Sequence, residues 1–125
     1  MNTYKRLAQK FNVKLIDVAA DPDYIKRAGM DRDHYINASY IIGGEEVILG
    51  IYKDKELKLI SFFHEIGHSR TNAQECTDLY EYEERCWKEG IKLARAEGIK
   101  FSEHALDWAK EQLKTNEYKQ ECPIE

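Results

Sequence analysis

Two histidines and a glutamate near the middle of the chain have a spacing that can hold and use a metal ion. They are His64, Glu65 and His68, in the pattern His-Glu-x-x-His. On an α-helix, residues four apart share one face, so the two imidazoles can bind the same ion. Glu65 lies about 100° further round the helix, beside the metal, which suits proton abstraction from a water that the metal activates. A chance pairing of unrelated helical histidines is the competing interpretation.

A helix must position these residues. Asp54 can cap a helix that starts near Lys55 and runs to about Arg70. Four apolar residues share one face, and the two histidines lie on the opposite face with Leu57 and Ser61; the apolar four are Leu59, Phe62, Phe63 and Ile66. We therefore expect the helix to pack against a sheet and to present its histidines to a second element.

The third ligand must come from elsewhere, because a catalytic zinc site has three protein ligands and one open position. A second helix, capped by Asn72 or Thr77, is predicted to continue to Ala96 and to stop at Gly98. Its apolar residues cover about half of its circumference, and Glu83 lies near the centre of that arc.

A carboxylate inside an apolar face is costly to bury unless it binds a metal or pairs with a cation. Glu83 is therefore the predicted third ligand. The alternative is a buried ion pair with one of three arginines: Arg70, Arg85 or Arg95. Glu81 and Glu84 are expected to be solvated, with basic residues at helical spacing nearby.

The rest of the chain predicts a small sheet and flanking helices. A short helix is expected over residues 3–11, a strand over 13–18, and an irregular or briefly helical connection over 24–30. Ser102 can cap a last helix over about 103–115, and we expect the tail from about residue 116 to be loose.

A β-hairpin is predicted at residues 35–52. Two β-prone runs, 35–42 and 45–52, are joined by Gly43 and Gly44, which suit a two-residue turn with positive φ at both positions. Gly50 interrupts the second run, either through a bulge or close packing, or to leave room for a ligand beside the metal helix.

The length indicates one domain over residues 1–125, and the predicted helices and strands make it α+β; the net charge is −4. This charge and the lack of a dense Lys/Arg cluster argue against nucleic-acid or anionic-membrane partners. No apolar run is long enough to span a bilayer, and the N-terminus lacks the apolar core of a signal peptide, so we expect a cytoplasmic protein. Cys76, Cys86 and Cys122 lack C-x-x-C spacing and are expected to be free thiols, with Cys86 in the core; a cysteine-based zinc site is the weaker alternative.

The chain resembles the ImmA/IrrE-type metallopeptidases, which are small gluzincins of bacteria, prophages and mobile elements. The resemblance lies in the run His64-Glu65-Ile66-Gly67-His68 and in a later helix with Glu83-Glu84-Arg85-Cys86-Trp87. The likeness runs from about Tyr35 to Ala94. It implies a minimal zincin-like domain, with a small sheet, a central helix carrying the motif and a further helix carrying the third ligand. It also implies zinc bound by His64, His68 and Glu83, with Glu65 as general base. Cys86 stands where alanine is usual, and the neighbouring acids Glu81 and Glu84 permit a shift of the third ligand.

The expected function is a zinc-dependent metalloendopeptidase acting on a specific protein or peptide substrate. One alternative is a binding or regulatory protein of phage or mobile-element origin that keeps the zincin scaffold without proteolysis. Another is a structural zinc whose fourth position is closed by cysteine or histidine. Residues 47–52 could pair with an extended substrate, and Asp78 could orient a ligating histidine. Candidate donors to a reaction oxyanion are Tyr35, Tyr40, Tyr80, His34 and His104.

Overall fold

The computed structural model describes residues 2–115. Over that range the protein is α+β, as predicted, with five α-helices and a three-stranded mixed sheet. The helices are α1 (Thr3–Lys10), α2 (Tyr24–Ala28), α3 (Lys55–Arg70), α4 (Leu79–Ala96) and α5 (Glu103–Thr115). The strands are β1 (Lys14–Asp17), β2 (Tyr40–Ile42) and β3 (Glu46–Leu49). The predicted loose tail and Cys122 lie outside the described residues.

The sheet has the order β1-β3-β2, so β3 is the central strand. It runs parallel to β1 and antiparallel to β2, with Val47 paired to Leu15 on one side and to Ile41 on the other. The expectation that residues 47–52 pair with a substrate is therefore wrong for β3, because both of its edges are already hydrogen-bonded. Among residues 2–115, the unpaired edge of this hairpin belongs to β2.

The hairpin connection differs from the predicted two-residue turn. Gly43 and Gly44 do have positive φ, 62° and 70°. The strand register, however, pairs Ile42 with Glu46 and leaves Glu45 as an extra residue. The Glu45 carbonyl accepts a hydrogen bond from the Lys14 amide at 2.8 Å, so the longer connection also ties the hairpin to the start of β1.

Close packing explains Gly50. A Cβ at this position would overlap the Ala38 carbonyl oxygen and would lie 2.8 Å from its carbonyl carbon. The Gly50 amide donates to the Ser39 hydroxyl at 3.0 Å, which holds the two backbone segments together. The close-packing interpretation is confirmed, and room for a ligand is not the reason for this glycine.

Helix α3 is the centre of the fold. Asp54 caps it as predicted, with Oδ1 accepting from the amides of Glu56 at 2.9 Å and Leu57 at 3.2 Å. Nine of its sixteen residues are buried, because it packs against the sheet, α4 and α5. Burial thus extends around more of the helix than a two-faced pattern implies, while Leu59, expected on the apolar face, is only partly buried.

Helices α3 and α4 pack backbone against backbone through two glycines. A Cβ on Gly67 of α3 would overlap the Cys86 carbonyl oxygen, and a Cβ on Gly90 of α4 would overlap that of Phe63. Cys86 itself is fully buried, as expected. This close approach brings the side chains of one helix within bonding distance of those of the other.

The start of α4 differs from the prediction. Asp78 is its cap, accepting from the Glu81 amide at 2.8 Å, whereas Asn72 caps the short 3-10 turn over Ala73–Glu75. Glu81 in turn accepts from the amide of Thr77, the residue before the cap, at 2.7 Å. Asp78 is therefore engaged at the helix terminus rather than in orienting a histidine.

Helix α5 begins after Ser102, as predicted. The Ser102 hydroxyl accepts from the Ala105 amide at 3.3 Å, and the Ser102 amide donates to the Glu56 carboxylate at 2.6 Å, which joins the starts of α3 and α5. Ala105 and Ala109 are buried against the core. Within residues 2–115, every helix is too short or too polar to cross a lipid bilayer.

Candidate metal centre

The predicted ligands His64, His68 and Glu83 come together between α3 and α4. The two Nε2 atoms are 3.2 Å apart. His64 Nε2 lies 3.1 Å from one Glu83 carboxylate oxygen, and His68 Nε2 lies 3.2 Å from the other. Tetrahedral zinc with bonds of about 2.0–2.1 Å separates its ligand atoms by about 3.3 Å. The observed spacing therefore suits one ion in contact with all three residues.

The chemistry of the ligand set also fits a metal ion. Among residues 2–115, these three side chains form the one group of three or more histidine, cysteine or carboxylate ligands whose atoms all lie within 4.8 Å of one another. Two imidazoles and one carboxylate are a set that zinc and similar transition metals prefer over calcium or magnesium. The group is thus positioned to bind a metal ion.

The structure distinguishes Glu83 from its acidic neighbours. The Glu83 side chain is 12% exposed, whereas that of Glu84 is 40% exposed and lies 3.9 Å from Lys88. Glu81 pairs with Arg85 at 2.9 Å. The alternative of a buried pair between Glu83 and an arginine is not realised within the described residues, where the partners of its carboxylate oxygens are the two histidines.

Tyr82 orients His68, a contact that the sequence did not reveal. The Tyr82 hydroxyl lies 3.0 Å from His68 Nδ1. When Nε2 binds a metal, Nδ1 carries the proton and donates to this hydroxyl, which fixes the tautomer and the ring orientation. In the sequence, the one indication of this contact is that Tyr82 immediately precedes Glu83 on the predicted helix.

His64 is held by stacking. Its ring lies 3.8 Å from the Trp87 ring, centroid to centroid, with 23° between the planes. His64 Nδ1 is buried and has no hydrogen-bond partner among residues 2–115. Trp87 also meets Trp108 edge to face at 6.2 Å. Aromatic packing on α4 therefore positions His64, while a hydrogen bond positions His68.

The three ligands shift one another's pKa values in the metal-free protein. Burial alone would raise the pKa of Glu83, but hydrogen bonds with His64 and His68 outweigh it and lower the pKa to about 2. Burial lowers the pKa of His64 to about 4. Burial would also lower the pKa of His68, but the adjacent Cys86 and Glu83 side chains raise it. An ionised carboxylate next to a neutral His64 is ready to accept a cation.

Glu65 lies in the same site and is 6% exposed. Burial, reinforced by the negative charge of Glu83, raises its pKa to about 8, although His68 acts in the opposite direction. A carboxyl group with a pKa near neutrality can both accept and return a proton at physiological pH.

The ligands and Glu65 line a cavity of about 600 Å³. Residues of β2 and of the segment before it form one wall, and α3, α4 and α5 form the others; aromatic side chains in these walls include Tyr40, Tyr52, Trp87 and Trp108. The cavity is large enough for several residues of an extended peptide to approach the ligands.

Of the five candidate oxyanion donors, Tyr40 lines this cavity. Its hydroxyl donates to the His34 carbonyl at 3.1 Å, and the His34 ring stacks on it. Tyr35 is buried in a separate apolar cluster with Val18 and Ile48, and His104 pairs with Asp54. Tyr80 is exposed.

Comparisons with protein-family models, with curated proteins and with solved structures find no match to this chain. Its function must therefore be inferred from the geometry and chemistry of the site itself.

Proposed function

We propose that this protein is a zinc-dependent peptidase, built on a minimal zincin-like domain of the ImmA/IrrE type, that hydrolyses a peptide bond in a protein or peptide substrate. One observation carries the proposal. Two imidazole nitrogens and a carboxylate lie 3.1–3.2 Å apart in the wall of a cavity that Glu65 also lines. This combination supplies both a metal-binding group and a neighbouring proton acceptor.

In this proposal His64, His68 and Glu83 hold the zinc. Three protein ligands are the number found in catalytic zinc sites, where the fourth position serves water or substrate. When bound, zinc supplies a Lewis acid that polarises the scissile carbonyl and makes water easier to deprotonate. Tyr82 and Trp87 keep the two imidazoles in position for this role.

Glu65 is the proposed general base. It takes a proton from the attacking water and later returns it to the amine of the leaving peptide. It lies next to His64 on α3 and lines the same cavity as the three ligands, where an attacking water would be within its reach.

The free edge of β2 is the proposed binding site for the substrate backbone. This edge borders the cavity, and an extended peptide can add to it as a further strand. Tyr40 and Ile42, two residues apart on β2, are exposed and available for substrate side chains. Tyr40 is also the proposed donor to the reaction oxyanion, since it is the candidate that lines the cavity. In this role its O–H exchanges the His34 carbonyl for the oxyanion.

The test compares wild-type protein with Glu65→Gln. Each is loaded with zinc and incubated with a peptide library, and new N-termini are identified by mass spectrometry. We expect cleavage by the wild type and a loss of at least about a hundredfold in Glu65→Gln, with zinc content and unfolding temperature retained. Glu84→Gln, at a carboxylate on α4 that is 40% exposed and lies outside the metal-centre cavity, is the matched control and should cleave normally.

Two outcomes contradict the proposal. Cleavage by Glu65→Gln at the wild-type rate would assign the activity to a contaminant or to another residue. Full biological function of Glu65→Gln, without cleavage by either protein, would favour a binding or regulatory role for the same scaffold.

A further inference from the structure

A second cavity, of about 550 Å³, lies between α4 and α5. We call it the α4–α5 groove. Its apolar lining comes from both helices and consists of Trp87, Ile91, Leu106, Ala109 and Leu113. Ile91, Leu106 and Leu113 are only partly buried, so this surface can still gain free energy by burying more apolar area.

Cations surround the apolar lining. Lys88, Lys92, Arg95 and Lys110 border the groove together with one carboxylate, Glu84, which gives a local charge of four minus one, or +3. The whole chain has a net charge of −4. The sign of the charge at the groove is therefore opposite to that of the molecule as a whole, a contrast that attracts acidic partners to this place.

These charges are not neutralised within the described part of the chain. Lys92, Arg95 and Lys110 form no ion pair there, and Lys88 has only a 3.9 Å contact with Glu84. All four cationic side chains are exposed. Within residues 2–115 their charge therefore stays available to further carboxylates.

The spacing of these residues matches a helix. Lys88, Lys92 and Arg95 lie four and three residues apart on α4, so they follow one face over about 10 Å. Leu106 and Leu113 are seven residues apart on α5, or about two turns. A helix laid in the groove would meet apolar groups along its centre and cations along its sides.

We propose that the α4–α5 groove binds an acidic amphipathic helix of a partner protein, with its apolar residues on the groove lining and its carboxylates beside Lys88, Lys92, Arg95 and Lys110. Helix-in-groove recognition uses apolar anchors at positions i, i+3 or i+4 and i+7. The apolar lining favours this partner over nucleic acid, because phosphate contacts dominate nucleic-acid binding. The inference does not depend on peptidase activity.

Trp87 allows binding at the groove to be followed by tryptophan fluorescence. It borders both the groove and the cavity of the metal centre, where it stacks on His64. The chain has two tryptophans, Trp87 and Trp108, and only Trp87 lines the groove. A helix in the groove should therefore change the intrinsic fluorescence.

The experiment uses the full chain and a fluorescein-labelled synthetic peptide of about 18 residues, roughly five helical turns. The peptide contains only leucine, at helical i, i+3, i+4 and i+7 spacing, and glutamate. Binding is followed by anisotropy, and an unlabelled copy is used for tryptophan emission. We expect a dissociation constant in the micromolar range, weakened at least about tenfold in K92E/R95E.

The matched control is K26E/K53E, which makes the same charge change at exposed lysines outside the groove. It should weaken binding less than about twofold, the size expected from long-range charge alone. No binding to the wild type, equal weakening in both double variants, or equal binding of a leucine–lysine peptide would overturn the proposal. Two other results would also overturn it if the acidic peptide does not bind. One is self-association of the protein that K92E/R95E abolishes, and the other is binding of a DNA duplex that K92E/R95E abolishes.

Discussion

Gly90→Ala provides a sharp test of how α3 and α4 are held together, because two effects predict opposite signs. Glycine inside a helix is less favourable than alanine by about 1 kcal/mol, so helix propensity alone predicts stabilisation. A Cβ at Gly90, however, would overlap the carbonyl oxygen of Phe63 and lie 2.7 Å from its carbonyl carbon. Backbone atoms cannot relieve this overlap by rotating a side chain. Overpacking of this kind costs about 1–3 kcal/mol, and we expect it to prevail.

The same change should weaken metal binding. An ordinary carbon–carbon contact is about 3.5 Å or longer, so the helices must separate by roughly 1 Å at this point. The contacts between the histidines of α3 and Glu83 of α4 are now 3.1 and 3.2 Å. Lengthening them towards about 4 Å exceeds the tetrahedral spacing for zinc, and we expect zinc affinity to fall at least about tenfold.

Two assays measure these effects. Urea unfolding of the chelator-treated protein gives stability, and competition with a chromophoric chelator gives zinc affinity. Lys92→Ala compared with Lys92→Gly, at an exposed position on the same helix, isolates propensity and should favour alanine by about 1 kcal/mol. If Gly90→Ala were stabilising by the same amount and bound zinc as tightly as the wild type, the inferred backbone packing would be refuted.

Three further predictions follow from single contacts. Tyr82→Phe removes the partner of His68 Nδ1 and should lower zinc affinity roughly tenfold in the same competition assay; unchanged affinity would show that the hydrogen bond does not orient the ligand. Gly50→Ala should lower the free energy of unfolding by at least about 2 kcal/mol, measured in urea, because its Cβ overlaps the Ala38 carbonyl. In zinc-free protein, burial raises the pKa of Glu65 from 4.5 to about 8, so the stability of the wild type should fall as the pH rises through that range. Glu65→Gln should show a smaller fall and be the more stable protein at pH 8; the raised pKa of His68 adds a fall above pH 6.5 that both proteins share. Parallel pH profiles would contradict the assigned burial.

The ligands could be predicted from sequence because helical geometry fixes which residues share a face. His64 and His68 follow from their spacing of four, and Glu83 follows from its place in the apolar arc of α4. The structure places the three together. These inferences need only the helical period within each element, not the arrangement of one element against another.

Side-chain contacts between different helices could not be predicted from the helical period. Trp87 meets His64, and Tyr82 meets His68, because Gly67 and Gly90 allow α3 and α4 to approach at one particular crossing. In the sequence, Gly67 occupies a variable position of His-Glu-x-x-His and carries no such information. The angle between two helices depends on how their surfaces interlock, which periodicity within one helix does not specify.

The sheet shows the same limitation. The hairpin was predicted, because its two arms are adjacent in sequence and joined by Gly43 and Gly44. The parallel pairing of β1 with β3 joins segments about thirty residues apart, such as Leu15 and Val47. It makes β3 the central strand and leaves β2 at the edge of the hairpin. A substrate strand could therefore pair with β2, in the first arm, and not with β3, where pairing was expected.

The groove cations illustrate a further limit. Lys88, Lys92 and Arg95 are separated along α4 by apolar and acidic residues, and Lys110 belongs to another helix. No dense basic run appears in the sequence, yet the fold gathers these side chains around one apolar surface. Charge patterns in three dimensions depend on which faces of neighbouring helices are adjacent.

X-ray absorption spectroscopy of the zinc-loaded protein tests the central claim most directly. Binding by His64, His68 and Glu83 with an open fourth position predicts one zinc per chain, surrounded by nitrogen and oxygen at about 2.0–2.1 Å, with the multiple scattering of two imidazoles. Failure to bind one zinc per chain would contradict the account. So would a sulfur shell at about 2.3 Å, which would assign a cysteine such as Cys86 to the metal.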